Sequence, residues 1–255
     1  MSLQCVILAG GLGTRMRPLT ETLPKALVPV LGKPFAYWQL ALLAEQGVRR
    51  VVYCVGYRGD MIREFVGDGS SFGLAVEWFD DGSVLLGTAG AIRRALDREV
   101  LDDAFIVLYG DSYLPVSIPA VEAAWSRNDR PALMTVLRNE GAWDRSNCIY
   151  ADGSVVLYDK SRPPERRAEM HWIDYGLSVL SKMVVEERVP PGAVADLAEI
   201  QRELSMSGQL SGMEVKERFY EAGSPRGLRD LEAYLLARSP ERGGRKMPTG
   251  RTGTR

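Results

Sequence analysis

The chain has 255 residues, of which 45% are hydrophobic and 25% are charged, and its formal net charge is −1. A chain of this size and composition forms a globular core without disulfide or metal staples. The balanced charge excludes a protein that coats nucleic acid or an anionic membrane surface, so any basic site must be local.

The three cysteines, Cys5, Cys54 and Cys148, lie far apart within apolar runs. An odd number of widely spaced cysteines predicts buried, reduced thiols rather than a disulfide set or a zinc site. No apolar stretch reaches the roughly 18 residues of a membrane span, and residues 1–9 contain no charged leader before a cleavage site. We therefore expect a cytoplasmic protein with no membrane or nucleic-acid partner.

The first 111 residues alternate short apolar runs with amphipathic segments, in the order QCVILA, FAYWQLALLAEQG, RRVVYCVGY, DMIREFVGDG, LAVEWF, AGAIRRALD and DAFIVLYGD. Apolar runs separated by helical periods predict parallel strands that are covered on both faces, in an α/β layered sheet. Pro34 is typical of a helix start and Gly47 of a helix end, so one helix is predicted between them.

After residue 130 the pattern predicts a more mixed, partly antiparallel region. A hairpin turn is expected at Asp152 and Gly153, and helices are expected over residues 194–206 and 225–237. Residues 239–255 contain almost no apolar side chains and are rich in glycine and arginine, which predicts a disordered tail after a single domain spanning residues 1–238.

A glycine-rich loop, LAGGLGTRMRPLTETLPKAL at residues 8–27, follows the first apolar run. Such a loop after the first strand of an α/β sheet presents backbone N–H groups where these folds bind ligands, and phosphate is their natural guest. The third glycine of a dinucleotide fingerprint is missing, and the chain contains no P-loop motif. Because Arg15, Arg17 and Lys25 add cations close by, a polyphosphate site is favoured over a solvated surface turn.

The opening stretch LAGGLGTRMRPLTETLPKALVPVLGKPF closely resembles that of sugar-1-phosphate nucleotidyltransferases, also called NDP-sugar pyrophosphorylases. The segments LLGTAGAI (85–92), YGDSY (109–113), YDKSRPP (158–164) and FYEAGSP (219–225) are similar to further motifs of that family, in the same order. The spelling of residues 85–92 is most similar to guanylyltransferases acting on mannose or heptose 1-phosphates. The resemblance implies a Rossmann-like fold with a mixed, mainly parallel sheet flanked by helices.

The resemblance implies that a sugar 1-phosphate attacks the α-phosphorus of a nucleoside triphosphate and releases pyrophosphate. The nucleophile is already an anion, so no general base is needed and His171 is expected to be structural. Arg15 would carry the charge of the departing pyrophosphate and Lys25 would hold phosphate near the α-phosphorus. Mg²⁺ is the implied metal, with Asp111 and Glu221 as its protein ligands.

The same resemblance assigns the substrate-binding residues. The implied nucleotide contacts are Leu8, Ala9, Gly10, Gly11, Gly13, Thr14, Gly87 and Thr88. The implied sugar-phosphate contacts are Asn147, Lys160, Asp174 and Gly176. Two positions depart from the family pattern: Asp174 replaces an amide, and Glu221 replaces a shorter aspartate. An aspartate accepts hydrogen bonds from sugar hydroxyls but cannot donate to them, which leaves the sugar open.

Several of these residues also have structural interpretations. Asp111 and Thr88 suit helix or turn caps, Asp159 and Lys160 suit a solvated turn, and Trp143 suits packing. Rival functions are a pyrimidine-specific enzyme using UTP, dTTP or CTP, a cytidylyltransferase of a small alcohol phosphate, and a noncatalytic nucleotide- or sugar-binding regulatory homologue. The sequence leaves a homo-oligomer open.

Overall fold

A computed structural model describes residues 2–80, 82 and 85–238, except for the side chain of Arg15. The predicted tail at residues 239–255 lies outside this described part. The helices are α1 (Phe35–Glu45), α2 (Gly59–Val66), α3 (Gly87–Leu96), α4 (Ile118–Ser126), α5 (Lys182–Arg188), α6 (Leu197–Met206) and α7 (Pro225–Arg238).

The strands are β1 (Gln4–Ala9), β2 (Pro29–Val30), β3 (Lys33–Pro34), β4 (Arg50–Val55), β5 (Ala75–Asp80), β6 (Ala104–Tyr109), β7 (Ser112–Tyr113), β8 (Ala132–Arg138), β9 (Cys148–Ala151), β10 (Ser154–Tyr158), β11 (Trp172–Ser181), β12 (Leu210–Val215) and β13 (Tyr220–Glu221). Single turns of 3₁₀ helix include Thr14–Met16 and Lys25–Leu27 in the glycine-rich loop.

One nine-stranded sheet, in the order β5-β4-β1-β6-β11-β8-β12-β10-β9, forms the centre of the molecule. Its first four strands are parallel, and β11 runs antiparallel to both β6 and β8. Strand β12 is parallel to β8, and β10 is antiparallel to β12 and β9, so only β10 and β11 of the described sheet oppose the common direction. The predicted mixed, mainly parallel α/β sheet is confirmed.

Helices cover both faces of the sheet, and the side chains of β1 pack against both helix layers. Cys5 and Ile7 pack with residues of α1, α2 and α4, whereas Val6 and Leu8 pack with residues of α3, α5 and α6. Successive side chains of a strand point to opposite faces, so a continuous apolar run is what a doubly covered strand requires. Helix α7 packs in a separate cluster with β2 and β13.

The predicted elements are confirmed, with small shifts at their ends. Helix α1 follows Pro34, and Gly47 adopts a φ of 92° just after it. Asp152 and Gly153 have φ of 48° and 75° between the antiparallel β9 and β10, as a two-residue hairpin requires. The helix expected from residue 194 instead begins at Leu197, because the Asp196 side chain caps it by accepting from the Ala198 N–H.

Candidate active site

A cleft of about 260 Å³ opens at the carboxyl ends of the parallel strands β1, β4 and β6. We call it the central cleft. Among its lining residues are Leu8, Ala9, Gly10, Gly11, Lys25, Gly87, Thr88, Tyr109, Gly110 and Asp111. The edge where parallel strands end is the usual ligand site of an open α/β sheet, so the fold and the glycine-rich loop indicate the same place.

Gly110 allows the turn after β6 to approach the end of β1. Its N–H donates to the Leu8 carbonyl at 2.9 Å, and a Cβ at this position would lie 2.8 Å from the Ala9 Cβ. Any larger residue would push the turn away from β1. The glycine thereby fixes Asp111, the next residue, against the glycine-rich loop.

The central cleft contains an ion pair between two predicted catalytic residues. Lys25 Nζ lies 2.7 Å from Asp111 Oδ2, and the two side chains are 19% and 27% exposed. Lys25 begins a 3₁₀ turn in the loop after β1, whereas Asp111 follows β6. A cation and a carboxylate 86 residues apart in sequence are thus in contact, and both remain open to the cleft.

Gln39 of α1 anchors the turn that carries Asp111, and the sequence analysis missed it. Its Nε2 donates to the carbonyls of Tyr109 at 2.9 Å and Ser112 at 2.7 Å, and the residue is 2% exposed. A buried glutamine that bridges both sides of a turn restricts the turn to one conformation. The signal in the sequence was a polar residue on the buried face of an otherwise apolar helix.

The start of α3, at Gly87 and Thr88, lines the central cleft but also packs against the segment before α6. A Cβ on Gly87 would lie 2.5 Å from the Ala195 carbonyl oxygen, and that oxygen accepts from the Ala89 N–H at 3.0 Å. Thr88 Oγ1 donates to Asp196 Oδ1 at 2.8 Å and accepts from the Leu197 N–H at 2.7 Å. Both residues therefore have a structural role beside the predicted nucleotide contact.

Gly13 and Thr14 do not line the central cleft. Gly13 has a φ of 65°, and its carbonyl accepts from Thr20 Oγ1 at 2.7 Å, so it shapes the loop that presents Lys25. Thr14 is exposed. The Arg15 side chain, predicted to contact the leaving group, lies outside the described part of the chain.

The predicted sugar-side residues form a second group, on β11 and the segments beside it. Asn147 Oδ1 accepts from the Asp174 N–H at 2.9 Å, and Asp174 Oδ1 accepts from the Gly176 N–H at 2.9 Å. Gly176 has a φ of 97° at an irregularity of β11. Lys160 is exposed, and its charge acts on both Asp174 and Asp196.

Burial raises the pKa of Asp174, and the Gly176 N–H and the Lys160 ammonium oppose that rise. Burial also raises the pKa of Tyr109, which lines the central cleft, and the carboxylates of Asp174, Asp196 and Asp111 raise it further. The carboxylates of both groups of predicted residues therefore act on the Tyr109 phenol.

Asp159 does not lie in a solvated turn. It is 5% exposed and accepts from Ser161 Oγ at 2.6 Å and from Arg202 Nε at 2.8 Å. Burial raises its pKa, but the hydrogen bonds of Ser161 and Arg202 outweigh that effect, so the pKa is lowered overall. The carboxylate thereby fixes the chain next to Lys160.

Glu221 lies beside Asp111 through the backbone. Glu221 pairs with Ser112 between β13 and β7, and the Ala222 N–H donates to the Asp111 carbonyl at 2.8 Å. Its carboxylate accepts from Ser224 Oγ at 3.3 Å and lines a separate cleft with Trp143 and Arg218. In the described part of the chain, no three Asp, Glu, His or Cys side chains form a metal cluster.

The remaining sequence predictions concern His171 and the cysteines. His171 is exposed, outside the central cleft, and its Nδ1 lies 2.8 Å from Glu140 Oε2. None of the three cysteines forms a disulfide and all three are buried, as predicted, and burial raises the pKa of Cys5 to about 12. Among the described helices, none is long and apolar enough to cross a bilayer.

The fold and the central cleft define a nucleotide-diphospho-sugar transferase class of protein. The nucleotidyl transferase family model matches residues 4–139, and the chain belongs to this family. The predicted family, fold class and enzyme class are thereby confirmed.

Named relatives agree with this class. A UTP–glucose-1-phosphate uridylyltransferase from Synechocystis is 26% identical over 76% of this chain, which spans about half (53%) of that relative. An N-acetylmuramate α-1-phosphate uridylyltransferase from Neisseria meningitidis is 28% identical over 92% of this chain and 99% of its own length. Further relatives are named as thymidylyltransferases and as mannose- or heptose-1-phosphate guanylyltransferases.

Among solved structures, HddC from Yersinia pseudotuberculosis complexed with GMP-PN superposes with a TM-score of 0.75. It is 26% identical in sequence, and the match covers 91% of this chain and 99% of HddC.

Proposed function

We propose that this protein transfers a nucleoside monophosphate, GMP from GTP, to a sugar 1-phosphate of mannose or heptose type and releases pyrophosphate. The observation that carries the proposal is the ion pair of Lys25 and Asp111 inside the central cleft, 2.7 Å apart. A lysine and a carboxylate beside a backbone cradle are the groups that phosphoryl transfer needs for positioning and charge neutralisation.

In the proposed reaction, the backbone and the side chains of the central cleft have different roles. The backbone at residues 8–11 lines the cleft at the end of β1, where its N–H groups would hold the triphosphate. Lys25 would exchange its ion pair with Asp111 for one with the phosphates. Its positive charge would then draw electron density away from the α-phosphorus. A sugar-phosphate oxygen then forms the new bond to that phosphorus, and the bond to the β-phosphate oxygen breaks. The electron pair leaves with pyrophosphate.

Asp111 and Glu221 are the residues that would hold Mg²⁺. Asp111 fits because its carboxylate is a hard oxygen donor open to the central cleft, and magnesium takes one or two such donors together with substrate phosphates. Glu221 lies on the strand that pairs with Ser112, but its carboxylate lines the separate cleft of Trp143 and would have to turn toward Asp111 to share the ion. When bound, the metal would neutralise phosphate charge. Lys25 pairs with the same carboxylate of Asp111, at 2.7 Å.

GTP is proposed on the spelling of residues 85–92 and on the likeness to HddC, whose structure contains GMP-PN. A pyrimidine triphosphate is the second candidate. The observation that favours it is the near full-length match to the Neisseria uridylyltransferase.

A substrate matrix tests the proposal. Pyrophosphate release is measured with GTP, UTP, dTTP, CTP and ATP against mannose, heptose, glucose and N-acetylmuramate 1-phosphates, with phosphocholine as the small alcohol phosphate. We expect turnover with a sugar 1-phosphate and the highest kcat/KM with GTP. A preference for UTP or dTTP would show that the nucleotide donor is a pyrimidine triphosphate rather than GTP. A preference for phosphocholine would show that the acceptor is a small alcohol phosphate rather than a sugar 1-phosphate. Binding without turnover in every pairing would identify a noncatalytic regulatory homologue.

A further inference from the structure

A second, polar cleft of about 470 Å³ lies between the β8–β9 connection and the segment after Lys160. We call it the basic cleft. Its charged lining residues are Arg145, Arg162, Arg167, Glu140 and Asp144, together with His171. It shares no lining residue with the central cleft, and its volume suits a small organic ligand.

The charges in the basic cleft favour an anion. Glu140 is already paired, because Arg138 Nε, from outside the lining, lies 2.9 Å from its Oε1 and His171 Nδ1 lies 2.8 Å from its Oε2. Asp144 Oδ1 accepts from the Arg145 N–H at 2.6 Å. The two carboxylates of the lining therefore already have partners, whereas three guanidinium groups line the same cleft.

Hydrogen bonds to backbone carbonyls hold two of the three arginines and leave some of their N–H groups free. Arg162 Nε donates to the Ser146 carbonyl at 2.7 Å, and Arg167 donates through Nε and one terminal nitrogen to the Arg162 carbonyl. Within the described residues, the terminal nitrogens of Arg162 and the side chain of Arg145 have no protein acceptor. Guanidinium groups with free N–H groups match the oxygens of a phosphate.

The backbone conformation of two residues that line the basic cleft also favours a ligand site there. Glu140 and Arg162 adopt left-handed φ of 46° and 53°, which non-glycine residues rarely adopt. Asn139, which is 2% exposed, holds the opposite wall by donating to the Asp144 carbonyl at 2.6 Å and to Ser146 Oγ at 3.0 Å. Strained residues that surrounding hydrogen bonds hold in place are typical of ligand sites.

We propose that the basic cleft binds a small phosphorylated ligand, at a site separate from the central cleft. Arg145 and Arg162 would contact the phosphate through their free nitrogens, and Arg167 through its remaining one. Asp144 also lines the cleft of Glu221 and Trp143, so the β8–β9 connection separates the two cavities.

Calorimetric titration with inorganic pyrophosphate at fixed ionic strength tests the proposal. We expect two sites per chain in the wild type. In Lys25→Gln, only the site of the basic cleft should remain. In Arg145→Gln/Arg167→Gln, only the site of the central cleft should remain, because the affinity of the basic cleft for pyrophosphate should fall by at least about tenfold per arginine. The matched control is Arg98→Gln/Arg127→Gln, which removes two exposed arginines outside both clefts and should keep two sites.

Three results of the direct titrations would overturn the proposal: a single site abolished by Lys25→Gln, two sites retained in Arg145→Gln/Arg167→Gln, or equal weakening in the control. Competition in Lys25→Gln identifies the source of the phosphate, with glucose 1-phosphate and GMP as competitors. Displacement by either one supports the proposal, whereas equally good displacement by sulfate would reveal an unselective anion patch and overturn it. No arm depends on turnover, so the proposed transferase reaction can fail without affecting this result.

Discussion

The parallel and the mixed halves of the sheet build their parts of the candidate site in different ways. At the ends of β1, β4 and β6, the site consists of backbone from residues 8–11 and the Lys25–Asp111 pair, anchored by Gln39. Around β11, the Asn147 side chain accepts a hydrogen bond from the Asp174 backbone N–H, and Lys160 is exposed.

Under the proposed function, this difference would give the two halves separate tasks. Backbone groups at strand ends keep their positions when side chains change, so they suit the triphosphate that every family reaction shares. Side chains from separate strands can change one at a time, so they suit the choice of sugar. We therefore expect substitutions in the parallel half to lower kcat, and substitutions around β11 to change KM and sugar preference.

The largest effect is expected from Lys25→Met. It removes the cation of the central cleft, and we expect kcat to fall by about 10²–10³-fold, as on removal of one preorganised charge-stabilising donor. Asp111→Asn should cause a comparable loss, and the double variant should lose less than the product because the residues act as a pair. Steady-state pyrophosphate release measures all three. Lys216→Met, an exposed lysine beside Glu214, is the control, and an equal loss there would contradict the assignment.

Glu221→Gln comes next. It removes a charge at nearly constant shape, so we expect the Mg²⁺ concentration for half-maximal activity to rise about tenfold, the lower end of what changes around a metal site cost. Stability should change by under about 0.5 kcal/mol, since the carboxylate accepts a long hydrogen bond of 3.3 Å from Ser224 Oγ. Magnesium titrations compare it with Glu165→Gln, an exposed control. Coincident curves would remove Glu221 from the metal site.

Gln39→Leu tests whether the parallel half depends on its buried anchor. Two carbonyls lose their donor, so we expect about 1–3 kcal/mol of destabilisation in urea unfolding. Because the turn carries Asp111, the magnesium midpoint should rise as well, which a purely structural residue would not change. Gln46→Leu, which removes a single 3.3 Å bond to the Ile118 N–H, should leave that midpoint unchanged. A normal midpoint in Gln39→Leu would show that the anchor serves stability alone.

The smallest effect on turnover is expected from Asp174→Asn, which should change stability instead. Burial raises the pKa of Asp174 in the folded protein, so the fold favours the protonated form and loses stability as pH rises through that pKa. The variant removes this titration, so its Tm should match the wild type near pH 3.5 and exceed it at pH 8. Thermal unfolding at both pH values measures this, and a lower Tm at pH 8 would contradict it. Sugar preference should shift while kcat stays constant, because asparagine can donate as well as accept.

The sequence by itself determined the layered fold, the helix between Pro34 and Gly47, and the position of the glycine-rich loop at a strand end. These follow from local rules: the period of apolar residues, the fixed φ of proline, and the conformational freedom of glycine. The motifs also brought Lys25 and Asp111 forward as candidates, because both belong to short continuous patterns.

Only the tertiary structure decided what those residues touch. The Lys25–Asp111 contact, the Gln39 bridge and the bond between Thr88 and Asp196 join residues that are 86, 70 and 108 positions apart. The tertiary structure also decided that Asp159 is buried beside Arg202. It likewise formed the basic cleft, in which Arg162 donates a hydrogen bond to the Ser146 carbonyl. Local patterns fix which face of an element is buried, but partners across the sheet depend on strand order and register, which the packing of the whole chain sets.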